Sequence, residues 1–306
     1  MNTTIQTWLA AGPLLTDGGW GTQLQLRGLA VGKHPDYWNL TNPEKVQEVA
    51  RAYVDAGSRV ILTNTFGSNR FILGRHGFDD KVAEINAEGV RLSRNAARNA
   101  VGSATGNAVD GIAKVFASIG PTGVVLMMGQ VSEEQLYSAF HEQATALAQA
   151  QPDALVVETM SDLAEAVIAV RAAKTTGLPV VACVVFDSGK NKDRTMMGQT
   201  PEQAVEMLTE AGADVLGSNC GQGIDGFIPL CRRMRAATTL PLWMKANAGL
   251  PRMVDGKTVY DQSPDEFAEK AMQLIEVGAD FIGGCCGTSP EFIAAVKKRL
   301  TARSEK

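Results

Sequence analysis

The stretch TPEQAVEMLTEAGADVLGSNCG, residues 200–221, contains a complete helix–strand unit. Thr200-Pro201 is a helix start of the cap-then-proline type, and Ala-Gly-Ala-Asp at 211–214 ends that helix directly before an apolar run. The stretch SPDEFAEKAMQLIEVGADFIGGCCG, residues 263–287, follows the same plan. Strands that alternate with helices in this way predict right-handed βαβ units in a parallel sheet.

Eight apolar runs of this kind occur along the chain, with amphipathic segments between them. The predicted strands are Pro13–Thr16, Arg59–Phe66, Lys114–Ile119, Ala154–Thr159, Pro179–Phe186, Asp214–Ser218, Pro241–Ala246 and Asp280–Gly283. They are apolar on both faces, which is typical of strands covered by helices outside and by a packed core inside. Eight strands and eight helices favour one particular α/β fold, a single (β/α)8 TIM barrel. No linker or low-complexity segment divides residues 1–306, so we expect one domain.

The composition is that of a globular chain: 45% of the 306 residues are hydrophobic, 20% are charged, and the net charge is −4. This charge offers no basic face to nucleic acid or to an anionic membrane, so we expect neither as a partner. There is no uninterrupted apolar run of about 18 residues and no cationic leader, so we expect neither a membrane helix nor a signal peptide. Five cysteines are too few for a disulfide scaffold, which favours a cytoplasmic location with thiols free to bind metal.

Polar or glycine-rich signals follow most of the predicted strands. Because the carboxyl ends of parallel barrel strands converge on one mouth, these residues are candidates for an active site. In chain order they are Asp17-Gly18-Gly19, Asn64-Thr65, Gly120-Pro121-Thr122, Glu158, Asp187, Asn219-Cys220-Gly221, Asn247 and Cys285-Cys286-Gly287.

Three cysteines reach this predicted mouth from two strands. Cys220 follows the sixth strand, and Cys285 and Cys286 follow the eighth; both strands flank the seventh, so their ends can share one ion. The flanking glycines allow both adjacent cysteines to point at it. Thiolate-rich ligation is typical of zinc, and three ligands leave a fourth tetrahedral position open, as in catalytic sites. We therefore predict these three cysteines as the metal ligands and catalytic residues of a Zn2+ site.

A site with three thiolates polarises water poorly, but it can bind an incoming thiol and displace its proton, whose unperturbed pKa is about 8.5. The bound sulfur then remains a nucleophile at neutral pH. The reaction that needs such a nucleophile is alkyl transfer to sulfur, so the pattern predicts a thiol methyltransferase.

Other interpretations of the sulfur and imidazole groups stay open at this point. The cluster could be a structural zinc site, a disulfide between Cys285 and Cys286, or a pair of buried thiols without function. Cys183 lies in mid-strand and Cys231 in mid-helix, so we expect both in the core. The three histidines lie outside the strand ends, and we expect surface or helix positions for them: His34, His76 and His141.

Two of these motifs, GSNCGQG at 217–223 and GGCCGTSP at 283–290, resemble the zinc-cysteine motifs of the homocysteine S-methyltransferase family. That family includes betaine–homocysteine methyltransferases, S-methylmethionine-dependent enzymes and the homocysteine module of cobalamin-dependent methionine synthase. The resemblance extends over most of the chain through five further motifs: DGGWGTQL at 17–24, ILTNTFGSNR at 61–70, SIGPTG at 118–123, VETMSD at 157–162 and KANAGLP at 245–251. It implies a zinc barrel that converts homocysteine to methionine, and thus a role in methionine biosynthesis.

The resemblance also implies a substrate site. Asp17 and Glu158 would hold the ammonium group of homocysteine, and backbone amides around Gly18 and Gly19 would lie near its carboxylate. Asn219 and Asn247 complete the predicted set; Asn247 would either fill the open zinc position before substrate arrives or orient Cys220. The plainer alternatives are an Asp-Gly turn at Asp17, a strand-end salt bridge at Glu158 and a turn asparagine at Asn247.

The methyl donor is left open between betaine or another onium compound and a methyl-corrinoid. Animal betaine enzymes have tyrosines after the second and fourth strands where this chain has Gly67 and Thr159, which removes two walls of a cation–π cage. Trp20, Trp38 and Trp243 are candidates to rebuild it. Residues 193–201, DRTMMGQTP, resemble bacterial members that use betaine, and the paired methionines could equally pack a loop. A methyl-corrinoid would have to arrive on a separate corrinoid protein.

Two functions of other classes compete with the methyltransferase. One is a zinc barrel that binds a thiol metabolite or a partner without catalysis. The other is a zinc-free lyase or aldolase in which Glu158 and Lys245 transfer protons. Sensitivity to chelators separates the zinc enzyme from the zinc-free barrel.

Overall fold

The protein is described by a computed structural model over residues 2–99, 113–254 and 257–304. Its main sheet has eight strands, each preceded or followed by helices. These strands are β1 (Leu14–Leu15), β2 (Val60–Leu62), β3 (Lys114–Ile119), β4 (Ala154–Met160), β5 (Val180–Val184), β6 (Val215–Gly223), β7 (Leu242–Asn247) and β10 (Phe281–Gly284). A separate hairpin consists of β8 (Arg252–Val254) and β9 (Lys257–Val259).

Helices cover the outside of this sheet. They are α1 (Thr3–Leu9), α2 (Trp20–Leu26), α3 (Trp38–Thr41), α4 (Pro43–Asp55), α5 (Arg70–Gly74), α6 (Val82–Asn99), α7 (Glu133–Gln149), α8 (Leu163–Lys174), α9 (Pro201–Glu210), α10 (Ile224–Ala237), α11 (Pro264–Glu276) and α12 (Pro290–Ser304). The cap-then-proline signals are confirmed, because Thr200 and Ser263 cap α9 and α11 in full capping boxes. None of the described helices combines the length and apolarity that crossing a bilayer requires.

All neighbouring strands of the main sheet are parallel, in the order β1-β10-β7-β6-β5-β4-β3-β2. The two end strands of this order meet as well, because the amide of Arg59, just before β2, donates to the carbonyl of Leu15 over 2.7 Å. The sheet is therefore a nearly closed barrel, and the predicted (β/α)8 fold is confirmed.

Two strand predictions were wrong by several residues at the carboxyl end. The strand predicted over Arg59–Phe66 ends at Leu62, because side chains replace the sheet partners beyond that point: Thr63 Oγ1, for example, accepts the amide of Ser118 over 3.0 Å. The strand predicted over Asp214–Ser218 continues to Gly223. The β8–β9 hairpin was missed, because its two short strands are exposed and lack the apolar pattern of the barrel strands.

Aromatic side chains fill the amino-terminal end of the barrel. Phe116, Trp243 and Phe281 contact one another with ring centroids 5.3–6.2 Å apart, and Trp8 of α1 packs on Phe116 at 5.3 Å. Helix α1 therefore closes the bottom of the barrel. Trp243 is fully buried there and does not reach the opposite end, where the cysteines lie.

Candidate metal centre and substrate site

The backbone of β6 breaks its regular pairing where it delivers Cys220. Its register with β7 shifts between Asn219 and Gly223, so the strand bulges at this point. Cys220 adopts a left-handed conformation with φ 63°, and Gly221 follows with φ 76°. The bulge turns the sulfur of Cys220 towards the end of β10.

The three cysteines predicted as ligands lie together. The reactive atoms of Cys220, Cys285 and Cys286 all lie within 4.8 Å of one another, and the sulfurs of Cys220 and Cys286 are 3.8 Å apart. Two thiolates on a tetrahedral zinc ion, with Zn–S bonds of about 2.3 Å, are about 3.8 Å apart. The spacing of these sulfurs thus fits three corners of a tetrahedral zinc site.

Hydrogen bonds from neighbouring groups orient the sulfurs. The thiols of Cys285 and Cys286 lower the pKa of Cys220 to about 3 against the effect of burial, and the amides of Gly221 and Asn247 contribute to the same shift. The side chain of Asn219 donates to Cys285 over 3.8 Å. These hydrogen bonds favour the charged form of the Cys220 sulfur, which is the form that binds a metal.

Asn247 bridges two of the cysteines. Its Oδ1 accepts the backbone amide of Cys286 over 3.1 Å, while its side chain donates to Cys220. Asn247 thus contacts the cysteine turn, and its role towards Cys220 stays a prediction.

The Asp17 carboxylate is fully buried and already has partners. Its Oδ1 forms an ion pair with Lys245 of β7, and its Oδ2 accepts Trp20 Nε1 and the amide of Leu62, each over 2.7 Å. Burial lowers the pKa of Lys245, but the carboxylates of Asp17 and Glu158 outweigh this effect and raise it. Lys245 therefore stays protonated, which makes it a poor general base.

Glu158 lies beside the cysteine cluster on β4. Its Oε1 accepts Ser118 Oγ over 2.5 Å and its Oε2 accepts Asn219 Nδ2 over 3.2 Å. Burial raises the pKa of Glu158, and the nearby Lys245 offsets only part of this effect. The register of β4 with β5 shifts between Val157 and Met160, and Thr159 has φ 59°, so a second bulge places this carboxylate.

Gly18 and Gly19 lie where β1, β10 and α4 approach one another. A Cβ atom at Gly18 would come within 2.8 Å of the side chains of Thr288 and Tyr53, so no larger residue fits. The amide of Gly19 donates to the carbonyl and hydroxyl oxygens of Thr288, each over 3.1 Å. Thr288 Oγ1 in turn donates to the carbonyl of Cys285 over 2.7 Å. The glycine loop is thus tied to the cysteine turn.

Cys183 and Cys231 are buried in the core, as predicted. His76 and His141 are exposed, but the surface position expected for His34 was wrong. His34 is buried and stacks on His76 with ring centroids 4.9 Å apart, because the loop after α2 packs against Gly67 before α5 and against the segment after α5. Sequence reading misses this contact, since it depends on two distant loops.

Large apolar side chains are exposed on loops around the barrel mouth. Met127 and Met128 follow β3, Met196 follows β5, and Met253 lies on β8; their exposures are 77, 70, 53 and 70%. Phe66, after β2, is 39% exposed. Trp20 is the tryptophan of the predicted cage that contacts the site, through Asp17.

A sequence profile named Homocysteine S-methyltransferase matches residues 14–300. The chain belongs to this family. Membership in the homocysteine S-methyltransferase family confirms the predicted class of enzyme, a methyltransferase. The methionine synthase of Mycobacterium leprae (strain TN) is 29% identical over 96% of the chain and 25% of its own length. That of Mycobacterium tuberculosis (strain ATCC 25618 / H37Rv) is 29% identical over 92% of the chain and 24% of its own length. The chain thus spans about a quarter of these relatives.

Solved structures agree with the family fold. The metallated form of the homocysteine methyltransferase MmuM from Escherichia coli has a TM-score of 0.81 and 24% identity, covering 97% of this chain and 99% of that one. Its oxidized form has a TM-score of 0.79 and 23% identity, covering 97% and 100%. The similarity establishes the shared barrel fold.

Tyr260 and Lys245 have roles that the sequence did not reveal. The ring of Tyr260, beyond the β8–β9 hairpin, lies against the turn that carries Cys286, because a Cβ atom on Gly287 would come within 2.3 Å of it. The sequence indicated Lys245 only as a proton-transfer candidate of the zinc-free lyase, and its pairing with Asp17 depends on closure of the barrel. No local signal identifies either contact.

Proposed function

We propose that this protein is a zinc-dependent homocysteine S-methyltransferase that forms methionine. The observation that carries the proposal is the cluster of three cysteine sulfurs within 4.8 Å of one another, at the end of a barrel of this family. Zinc held by Cys220, Cys285 and Cys286 would lower the pKa of the substrate thiol, so that its sulfur attacks a methyl group at neutral pH.

The other residues of the site bind and orient. Glu158 is the carboxylate that we assign to the substrate ammonium group, because it is buried beside the cluster and no cationic side chain forms an ion pair with it among the described residues. Asp17 stays in the proposed site, but it shares its charge with Lys245. The glycine loop at Gly18 and Gly19 is held against Thr288. The cysteine turn is held in position by Asn219 and Asn247.

The zinc-free lyase has less support, since a lysine held protonated by Asp17 cannot serve readily as a base. The donor remains a choice between an onium compound such as betaine and a methyl-corrinoid on a separate protein. The exposed methionines at the mouth are compatible with either a bulky donor or a partner surface.

The first test compares the wild type with Cys285→Ala for zinc content and homocysteine methylation, offering betaine, S-methylmethionine and methylcobalamin separately. We expect one zinc per wild-type chain and loss of zinc and activity in the variant, because only two of the three protein ligands would remain. Cys231→Ala is the matched control, since Cys231 lies in α10 outside the cluster and its removal should leave zinc in place.

A wild-type protein that takes up no zinc under reducing conditions contradicts the proposal. Zinc uptake without turnover of any donor would favour the non-catalytic zinc barrel instead.

A further inference from the structure

Tyr53 is a residue of the outer helix layer whose hydroxyl reaches the proposed site. It belongs to α4, and its side chain is fully buried. The hydroxyl lies 3.1 Å from the carbonyl oxygen of Gly19 and 3.1 Å from that of Thr288, so its proton is shared between these two acceptors. One side chain thus bridges the glycine loop and the cysteine turn.

The packing around this hydroxyl is tight. A Cβ atom on Gly18 would lie 2.8 Å from both Cε1 and the hydroxyl oxygen of Tyr53, so the ring rests directly on the glycine loop. The loop and the turn also bond to each other, since the amide of Gly284 donates to the carbonyl of Asp17 over 3.0 Å. Tyr53 therefore holds the loop at one position relative to the cysteine turn.

The two carbonyl groups do not depend on Tyr53 for a hydrogen bond. Thr22 Oγ1 also donates to the carbonyl of Gly19 over 3.1 Å, and the amide of Gly19 donates to the carbonyl of Thr288 over 3.1 Å. Removal of the hydroxyl leaves neither acceptor without a donor, so we expect Tyr53→Phe to fold. The hydroxyl instead affects where the two segments lie.

The spacing of these segments matters for the choice of substrate. Homocysteine and cysteine carry the same ammonium, carboxylate and thiol groups and differ by one methylene group between them. In the proposed site, Asp17 and the glycine loop hold the amino-acid end, and the cysteine cluster lies at the sulfur end. A site distinguishes the two thiols only when the segments that hold these ends keep a fixed separation.

We propose that Tyr53 is a positioning residue that keeps the glycine loop at the separation that homocysteine needs, and so discriminates against cysteine. The proposal rests on the function proposed above. Tyr53 acts through the glycine loop and the turn at Thr288, and it does not itself contact the cysteine sulfurs or the substrate.

The test measures the affinity of the zinc-loaded protein for L-homocysteine and for L-cysteine by isothermal titration calorimetry. Wild type should bind homocysteine about 10–200-fold more tightly, which is the range that one methylene group gives in a fitted pocket. In Tyr53→Phe we expect this ratio to fall about tenfold through weaker binding of homocysteine, because the loop loses its fixed position. Steady-state kinetics with an active donor should show a higher KM for homocysteine and a smaller change in kcat.

The probe for the metal centre is 2-mercaptoethanol, which has a thiol but no amino-acid end and should bind wild type and Tyr53→Phe equally. Tyr137→Phe removes a hydroxyl from an exposed tyrosine of α7 and should keep the wild-type ratio. Val49→Ala shortens a fully buried residue of α4, so it should lower the stability without changing the ratio. This variant separates a general weakening of α4 from loss of the hydroxyl.

An unchanged ratio in Tyr53→Phe would overturn the proposal, and so would an equal loss of affinity for homocysteine, cysteine and 2-mercaptoethanol. Zinc content and thermal unfolding are measured on every variant. Loss of zinc or of cooperative unfolding in Tyr53→Phe, or the same fall of the ratio in Val49→Ala, would assign Tyr53 to folding and overturn the proposal as well.

Failure of the proposed function has a different signature in the wild type. A wild-type protein that methylates homocysteine but binds both amino-acid thiols equally would reject only the role of Tyr53. A wild-type protein that takes up no zinc, or that binds neither thiol, would reject the proposed function itself.

Discussion

Cys220 and Thr159 have left-handed backbones, with φ 63° and φ 59°, which cost non-glycine residues of order 1–3 kcal/mol each. Both follow a residue of the proposed site, Asn219 and Glu158 respectively. The two are linked directly, because Asn219 Oδ1 accepts the amide of Thr159 over 2.7 Å. Strain at these two residues is therefore compensated by one asparagine that also contacts Glu158 and Cys285.

At this scale Glu158→Gln tests the proposed ammonium contact. The amide keeps the shape but loses the charge, so we expect the KM for homocysteine to rise about tenfold or more while kcat changes less. Steady-state kinetics at saturating donor measures both. Glu165→Gln is the matched control: Glu165 is also buried, accepts the amide and hydroxyl of Thr122, and should keep the wild-type KM. An unchanged KM in Glu158→Gln would remove Glu158 from the substrate site.

The same carboxyl gives the protein a pH dependence with a defined sign. Burial raises the pKa of folded Glu158 above its ordinary value of 4.5, so the folded state binds this proton more tightly than the unfolded state does. Its contribution to stability is complete below 4.5 and is lost as the pH rises through the raised pKa. Denaturant unfolding of wild type and Glu158→Gln should therefore show wild type losing stability relative to the variant over that range. A constant difference would show that burial does not shift this pKa.

At the scale of elements, the site depends on how closely β6 passes β7. Gly217 has no side chain, and a Cβ atom there would lie 2.0 Å from the backbone oxygen of Trp243. That oxygen belongs to β7, whose pairing with β6 sets the bulge at Cys220. Correct placement of Cys220 therefore requires the close approach of β6 and β7.

Gly217→Ala should destabilise the protein by about 3 kcal/mol, because the added methyl group meets a backbone atom that cannot move without breaking strand pairing. It should also weaken zinc binding through the displaced Cys220. Gly21→Ala is the control, since a Cβ atom in that position of α2 meets nothing within 4 Å and alanine favours a helix by about 0.5–1 kcal/mol. Urea unfolding measures the free energy of unfolding of each variant. A Gly217→Ala protein as stable as wild type would contradict this role of β6–β7 packing.

At the scale of the whole molecule, the buried Asp17 carboxylate links strands on both sides of the seam between β1 and β2, where the barrel closes. Lys245 belongs to β7 and Asp17 follows β1, with β10 between these strands. The same carboxylate accepts the amide of Leu62 at the end of β2. Asp17 therefore joins the first two strands to the last two at the mouth.

Lys245→Met should destabilise the fold by about 3–5 kcal/mol, because it leaves the buried Asp17 carboxylate without its cation. Lys270→Met removes an exposed pair with Asp225 and should cost less than about 1 kcal/mol. Chemical denaturation compares the two. A Lys245→Met loss no larger than that of Lys270→Met would show that the pair does not support barrel closure.

The sequence by itself determined the barrel and the three cysteine ligand candidates. Periodic apolar runs, helix caps at Thr200 and Ser263, and paired glycine–cysteine motifs are local patterns, so they can be read without knowing which segments meet. The family resemblance stated from those motifs agrees with the profile match over residues 14–300.

Only the tertiary structure decided the contacts around those cysteines. Tyr260 lies on Gly287 of the cysteine turn because the segment after the β8–β9 hairpin packs there, and Lys245 reaches Asp17 because strands far apart in sequence come close together. The bulges at Thr159 and Cys220 likewise arise from pairing between strands. Such contacts depend on long-range packing and carry no local periodicity, which is the physical reason that the sequence identifies the ligand candidates but not the residues that position them.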